Sequence, residues 1–256
     1  LGDTGLSVSE IGIGAFPISG MQKQADGSMH GWSGVEDDES VALIHRAGEL
    51  GVNLIDSAEG YGNGHSEVIT GRALKGRRDK WVVATKVQPN HGIDANTADG
   101  AAARKRIREA CEDSLKRLEM ETIDLYQLHA IPHQWAMPYV MDEFAKLKAE
   151  GKVRWYGIST NNQEAIETLR TYGPLDVLQI GYNMIERSAD ELLSWAKGQS
   201  IGTLIRVPLA KGMLTGKYFG SNAETLPEGD VRYERFQKEE TKAGLARLPE
   251  LAFLQT

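Results

Sequence analysis

Short β-branched runs alternate along the chain with longer segments whose apolar residues recur every three to four positions. The runs cover 11–16, 52–57, 81–87, 123–129, 153–159, 177–183 and 203–209. Runs that are apolar on both faces suit a parallel sheet covered by helices, because a one-sided antiparallel sheet would alternate apolar with polar. Between them Ile107, Ala110, Cys111, Ser114, Leu115 and Leu118 give the clearest helical stripe, and Val140, Phe144 and Leu147 give another. Asp37 and Asp38 are placed to cap the first helix, with Gly51 ending it and Gly151 ending the one before the fifth run. Strand starts recur at about 32 residues, the size of one βα unit, so the crossovers are expected to be right-handed.

A doubly wound open sheet and a closed (β/α)8 barrel both fit this pattern. The dinucleotide fingerprint G-x-G-x-x-G is absent, since Gly12-Ile13-Gly14 is followed by Ala15, Phe16 and Pro17. Gly71 to Gly76 has Walker-A spacing but continues Arg77-Arg78 and follows a helical stretch, so it is no phosphate loop. These absences favour an α/β fold of the TIM-type barrel, and 256 residues is close to the usual barrel length of about 250. No linker rich in Pro, Gly or Ser divides the chain, so 1–256 reads as a single domain. The irregular stretches 18–35, 88–100, 130–138 and 214–238 each follow a strand, where barrels place substrate loops. Seven strands are used by Leu209, and the helical stretch from about Glu239, with Leu245, Leu248 and Leu251, meets the end of the sequence. The expected barrel therefore lacks its eighth strand and last helix. A sequence cut from a longer chain is the first explanation, and completion by a neighbouring copy is the second.

Composition narrows the partners. The charged fraction is 25%, the hydrophobic fraction 41% and the net charge −7, which gives no reason to expect nucleic acid or an anionic membrane. The one cysteine, Cys111, cannot form an internal disulfide and lies on the inward stripe of a helix, which favours core packing and a reducing, cytoplasmic setting. No apolar run approaches the roughly 20 residues of a spanning helix. Metal binding is not expected. His129 and His133 are four apart, but Pro132 and a loop setting spoil a shared helical face, and His30, His45, His65 and His91 lack carboxylates at ligand spacing.

Barrel active sites gather at the C-terminal ends of the strands, and three chemistry-bearing residues end successive runs: Asp56, Lys86 and His129. Tyr61 follows Asp56 in the Gly-rich turn Glu59-Gly60-Tyr61-Gly62-Asn63-Gly64, which lets its ring fold over the same face. Singly, each has a plain structural role open to it: a helix cap for Asp56, turn packing for Tyr61, a solvated charge for Lys86, a core imidazole for His129. Together they make a proton-transfer site. An ammonium stabilises a phenolate, so Lys86 held by Asp56 prepares Tyr61 to act as general acid, while His129 donates a hydrogen bond to a carbonyl oxygen. The hydride that completes a reduction needs a cofactor, because no side chain supplies one.

Leu1-Gly2-Asp3-Thr4-Gly5-Leu6, the segment GVNLIDSAEGYGNGHSEVITGRAL at 51–74, Thr85-Lys86, Asp124-Leu125-Tyr126-Gln127-Leu128-His129 and PLAKGMLTGKY at 208–218 together resemble the aldo-keto reductase superfamily. The resemblance spans practically the whole chain. It implies a (β/α)8 barrel, an Asp, Tyr, Lys and His tetrad at Asp56, Tyr61, Lys86 and His129, and NADPH bound in an extended pose without a Rossmann motif, with NADH not excluded. By the same resemblance Ser159 and Gln179 hold the nicotinamide carboxamide; strand-end capping and a buried hydrogen bond are their structural alternatives. The family's Ser-Asn pair reads Ser159-Thr160 here, which leaves Asn161 as a candidate replacement. Arg206 stands where an aromatic ring often stacks on the nicotinamide. Leu209, Gly212 and Lys217 resemble the pyrophosphate cradle, with Lys217 alternatively a solvated loop charge.

Phe16 and Trp32 occupy positions that resemble the family's substrate pocket, with loop packing as the other reading, and Trp135 is a weaker candidate. Trp81, Trp155 and Trp195 read as structural. The activity implied is NADPH-dependent reduction of a small aldehyde or ketone. Two rivals remain: a Schiff-base aldolase using Lys86, and a non-catalytic auxiliary subunit that keeps the cofactor site.

Overall fold

The computed structural model describes residues 1–23, 26–215, 228–233 and 238–247. Its strands are β1 (Ile13–Gly14), β2 (Met21–Lys23), β3 (Met29–Gly31), β4 (Leu54–Asp56), β5 (Val82–Val87), β6 (Ile123–Leu128), β7 (Val153–Ser159), β8 (Val177–Gly181) and β9 (Gly202–Arg206). The helices are α1 (Asp37–Glu49), α2 (His65–Leu74), α3 (Gly100–Leu118), α4 (Met137–Ala149), α5 (Gln163–Arg170), α6 (Asp190–Gly198) and α7 (Glu239–Ala246). Seven strands pair in the order β1-β4-β5-β6-β7-β8-β9, every neighbour parallel. The sheet curls into a nearly closed barrel, with no eighth strand among the described residues. β2 and β3 form a separate antiparallel hairpin in the loop after β1.

The continuous apolar runs behave as expected. Every residue of β5 and β6 is buried, because helices cover one face and the barrel interior the other. The α3 stripe of Ile107, Ala110, Cys111, Ser114, Leu115 and Leu118 is buried throughout, packed in one core with Ile123, Tyr126, Leu128, Val140, Phe144 and Leu147. The expected first strand, 11–16, shrinks to two residues. Gly12 lies so close to Leu54 that a Cβ there would sit 2.9 Å from its Cδ2, and Pro17 has no N–H to extend the ladder and opens a 3₁₀ turn instead. Asp37 and Asp38 are not caps. They lie inside the first turn of α1, behind Glu36, where they act on the positive end of the helix dipole. Gly51 and Gly151 follow α1 and α4 with φ of 91° and 75°, a conformation open to glycine after a helix. The helical stretch from Glu239 appears as α7, while Leu248 and Leu251 lie outside the described residues.

The floor of the barrel is filled by the N-terminus. Leu1, Leu6 and Val8 pack with Leu54, Val82, Trp155 and Leu204, and the turn Gly2–Thr4 lies against β9 through Asp3 N–H donating to the Ser200 carbonyl at 3.2 Å. The opposite mouth, at the C-terminal strand ends, is left to the loops. Among the described residues no helix is long and apolar enough to cross a membrane.

Gly71, half of the false phosphate-loop spacing, has a packing role. A Cβ on it would lie 2.5 Å from the Leu118 carbonyl oxygen, so α2 and α3 touch through this glycine. Gly71→Ala must push backbone away from backbone, and we expect a loss of about 1–3 kcal/mol of stability by denaturant unfolding. A variant as stable as the parent would show that the two helices are not in this contact.

Candidate active site

Register alone directs four side chains into the same mouth. Asp56 pairs with Ala84 across β4 and β5, and Lys86 pairs with Gln127 across β5 and β6. Paired residues share a face and residues two apart share a face, so Asp56, Lys86, Gln127 and the following His129 all face the barrel interior. His129 is held at the end of β6 by its N–H donating to the Val87 carbonyl at 2.8 Å.

The turn after β4 delivers the phenol. Glu59 N–H donates to the Lys86 carbonyl at 3.1 Å, and the Glu59 carboxylate accepts from Gln88 N–H at 2.6 Å and pairs with Arg106 of α3. Ser66 at the start of α2 donates to the Ala15 carbonyl and bonds Ser57, each at 2.8 Å. With the turn pinned at both ends, Tyr61 folds back until its Oη lies 3.2 Å from Lys86 Nζ.

Lys86 is fully buried, and its ammonium meets three oxygens: Asp56 Oδ2 at 2.7 Å, the Ser57 carbonyl at 2.7 Å and Tyr61 Oη at 3.2 Å. Burial opposes the charge, but the Asp56 carboxylate and the Tyr61 oxygen outweigh it and raise the lysine above its ordinary value. An ammonium only donates, so Tyr61 Oη accepts from it and keeps its own hydrogen for another partner. The second oxygen of Asp56 accepts from Gln127 Nε2 at 3.2 Å. Gln127 is the residue that sequence reasoning missed; its place two before His129 on a strand was the available signal.

The His129 ring stands edge-on to Tyr61 with centroids 5.5 Å apart. Among the described residues its Nδ1 is buried without a hydrogen-bond partner. Burial, then the charges of Lys86 and Arg206, push this imidazole down to about 4, so it is neutral near pH 7 and in the Nε2–H tautomer it donates a hydrogen bond. Phe16 meets Tyr61 edge-on at 5.1 Å and Trp32 meets Phe16 at 6.2 Å, so both expected pocket residues stand beside the phenol. Trp135 instead bonds the Ala95 carbonyl at 3.0 Å and stacks on His133.

On the other side of the mouth, Ser159 and Gln179 are register partners, and Ser159 Oγ donates to Gln179 Oε1 at 3.1 Å. That bond turns the Gln179 amide NH₂ away from Ser159 as a donor, while the Ser159 oxygen keeps a lone pair as an acceptor. The two together match the oxygen and NH₂ of a carboxamide. Asn161 does not join them. Its amide clamps Gly181, accepting from the N–H at 2.8 Å and donating to the carbonyl at 2.9 Å. Arg206 lies over Gly181, with its guanidinium carbon 3.2 Å from where a Cβ would stand. Beyond it Val207 has φ of 54°, costly for a β-branched residue, and Gly212 N–H closes onto the exposed Leu209 through its carbonyl at 2.9 Å. Lys217 lies outside the described residues.

A cleft of about 710 Å³ opens at the opposite end of β5–β7, between Arg78, Asp124 and Arg154. Asp124 is saturated there by both arginines and by Val83 N–H, a structural ion cluster remote from the tetrad.

The model of the aldo/keto reductase family matches residues 10–252. The chain belongs to that family. It is 36% identical to aldo-keto reductase YhdN of Bacillus subtilis strain 168, over 98% of this chain and 73% of that one. The NADH-specific methylglyoxal reductase of Escherichia coli K12 is 33% identical, over 84% of this chain and 68% of its own. Among solved structures, an aldo-keto reductase from Klebsiella pneumoniae in complex with NADPH superposes with a TM-score of 0.66 at 28% identity, covering 84% of this chain and 69% of that one.

The depressed His129 value fixes a sign. Well above pH 6.5 neither the folded nor the unfolded imidazole carries a proton, and His129 adds no pH dependence. As pH falls from there toward 4, the unfolded chain takes up a proton that the buried site refuses, so stability declines. We expect the unfolding midpoint to fall more steeply over this window for the parent than for His129→Gln. Parallel curves would show that His129 titrates like a free imidazole.

Proposed function

We propose that this aldo/keto reductase reduces a small aldehyde or ketone to the alcohol, using NADPH, with NADH not excluded, and with Tyr61 as general acid. The observation that carries the reading is the Lys86 ammonium shared among Asp56, Ser57 and Tyr61. A carbonyl oxygen placed between Tyr61 Oη and His129 Nε2 accepts from both. As negative charge grows on that oxygen, the Tyr61 proton moves to it and the phenolate left behind faces the buried ammonium, whose charge stabilises it without reorganisation. His129, neutral, stabilises the same oxygen and does not compete as the acid. Phe16 and Trp32 supply an apolar wall.

A nicotinamide cofactor, when bound, would supply the hydride that the reduction needs. Ser159 and Gln179 offer its carboxamide one acceptor and one donor, Arg206 gives a planar cation in place of an aromatic ring, and Leu209, Gly212 and Lys217 are the pyrophosphate candidates. The Klebsiella relative with NADPH and the NADH-specific Escherichia relative both support a nicotinamide cofactor and divide on the adenosine phosphate.

The aldolase alternative requires a neutral Lys86 amine. The ion pair to Asp56 and the raised lysine value oppose it, because a protonated amine has no lone pair to attack a carbonyl. An auxiliary, non-catalytic subunit is separated from an enzyme by turnover itself.

The test pairs a substrate panel with one variant. NADPH and NADH oxidation is followed with aromatic, aliphatic and sugar aldehydes, and Tyr61→Phe is expected to lower kcat by about 10²–10⁴ while its NADPH Kd stays within about twofold. A variant with near-parental kcat removes Tyr61 from the chemistry. Tight cofactor binding with no oxidation by the parent favours the auxiliary subunit.

A further inference from the structure

The loop after β1 folds back as the β2–β3 hairpin, and residues 228–233 dock on its outer edge. Gly31 forms a bridge with Asp230, and Gly31 N–H donates to the Gly229 carbonyl at 3.1 Å. Neither glycine tolerates a side chain. A Cβ on Gly31 would lie 2.1 Å from the Gly20 oxygen, and one on Gly229 1.9 Å from the Met29 oxygen. This joint is therefore set by backbone contact, and it delivers two charged side chains to a fixed place.

Asp230 is fully buried and saturated. Its Oδ2 accepts from Ser33 N–H at 2.9 Å, Ser33 Oγ at 2.5 Å and Arg232 Nη2 at 2.6 Å, and its Oδ1 accepts from Arg232 N–H and Nε, each at 2.9 Å. Burial works against the charge, but the bonds from Arg232 and Ser33 hold Asp230 well below the usual carboxylate range. A guanidinium gripped through two nitrogens is rigid, unlike a lysine on its flexible stem. Arg232 also donates to Ser33 Oγ at 3.2 Å, and its guanidinium carbon lies 4.3 Å from the centroid of the Trp32 ring. From Trp32 the ring contacts run inward, to Phe16 at 6.2 Å, from Phe16 to Tyr61 at 5.1 Å, and from Tyr61 to His129 at 5.5 Å.

We propose that the buried Asp230–Arg232 pair is a positioning device for substrate selection: Arg232, clamped flat by Asp230, stacks on Trp32 and fixes the Phe16–Trp32 wall beside Tyr61 for flat aromatic carbonyl compounds. Which molecule meets that wall rests on the reductase reading above; the positioning itself rests only on the contacts. An indole just past the three-residue strand β3 has no other planar cation among its described ring contacts. Freezing it in advance removes an ordering cost that binding would otherwise meet. A small aliphatic aldehyde, which needs little of the wall, gains little from it.

Arg232→Lys is the informative variant, because it leaves Asp230 a counter-charge and so preserves the joint while losing the planar face. Two measurements are made on the full chain. With 5-fluorotryptophan incorporated and the Trp32 signal assigned through Trp32→Phe, ¹⁹F NMR of Arg232→Lys should show the Trp32 resonance shifted and broadened, with those of Trp81, Trp135, Trp155 and Trp195 unchanged. In steady-state NADPH oxidation, the kcat/KM ratio of benzaldehyde over propanal should fall about five- to tenfold, through KM with kcat nearly constant, as expected for losing a partly desolvated cation–π contact. In a Trp32→Ala background the same substitution should leave that ratio alone. An unmoved Trp32 resonance, or an equal fall in the ratio without Trp32, overturns the proposal. Should the parent reduce neither aldehyde, the reductase reading fails, and the resonance alone decides the positioning.

Discussion

A buried ammonium is the constraint on which the site depends. Lys86 has no exposed surface, and a lone charge in that position would lose its proton or unfold the mouth of the barrel. Three oxygens prevent this, and each comes from a different structural commitment: Asp56 from the end of β4, the Ser57 carbonyl from the turn that follows, and Tyr61 from the far side of that turn. The chain thus cannot satisfy Lys86 without also placing the phenol. Under the proposed reading stability and catalytic geometry are one requirement, since the contact that makes the charge tolerable is the contact that would prepare the acid.

Further ion pairs, on carboxylates withdrawn from solvent, carry that requirement outward. Glu67, fully buried in α2, accepts from Thr85 at 2.5 Å and from Arg117 at 2.7 Å, tying α2 to β5 one residue before Lys86 and to α3 behind it. Glu59 with Arg106 ties the Tyr61 turn to α3. At the other end, Asp124 with Arg78 and Arg154 closes the strand starts of β5–β7. Isolated buried ion pairs are weak stabilisers, but they penalise every arrangement that leaves one partner unpaired, and so they favour one register.

How much of this was legible in the sequence depends on distance along the chain. The strands and the α3 stripe follow from local periodicity, and Asp56, Lys86 and His129 from lying at strand ends one repeat apart. The α1 start was misjudged by a residue because acidic side chains favour both the cap and the first turn, and only backbone geometry separates the two. Gln127 was hidden in an apolar run, although strand alternation from His129 points to it. Asn161 was weighed as a cofactor contact, but its amide is taken by Gly181, a pairing that no spacing reveals. The Asp230–Ser33 bond joins residues 197 apart and belongs to no motif, so only the fold could show it.

Whether Lys86 is an ammonium donating to Tyr61 or a neutral nucleophile can be read from its charge. Lysine labelled with ¹³C at Cε reports the charge of each amine by NMR, and Lys86→Met identifies the resonance. The Lys86 signal is expected to keep its ammonium shift and to titrate above the value of an ordinary lysine. A signal that titrates below ordinary lysines, as for a desolvated amine without its carboxylate, would contradict it.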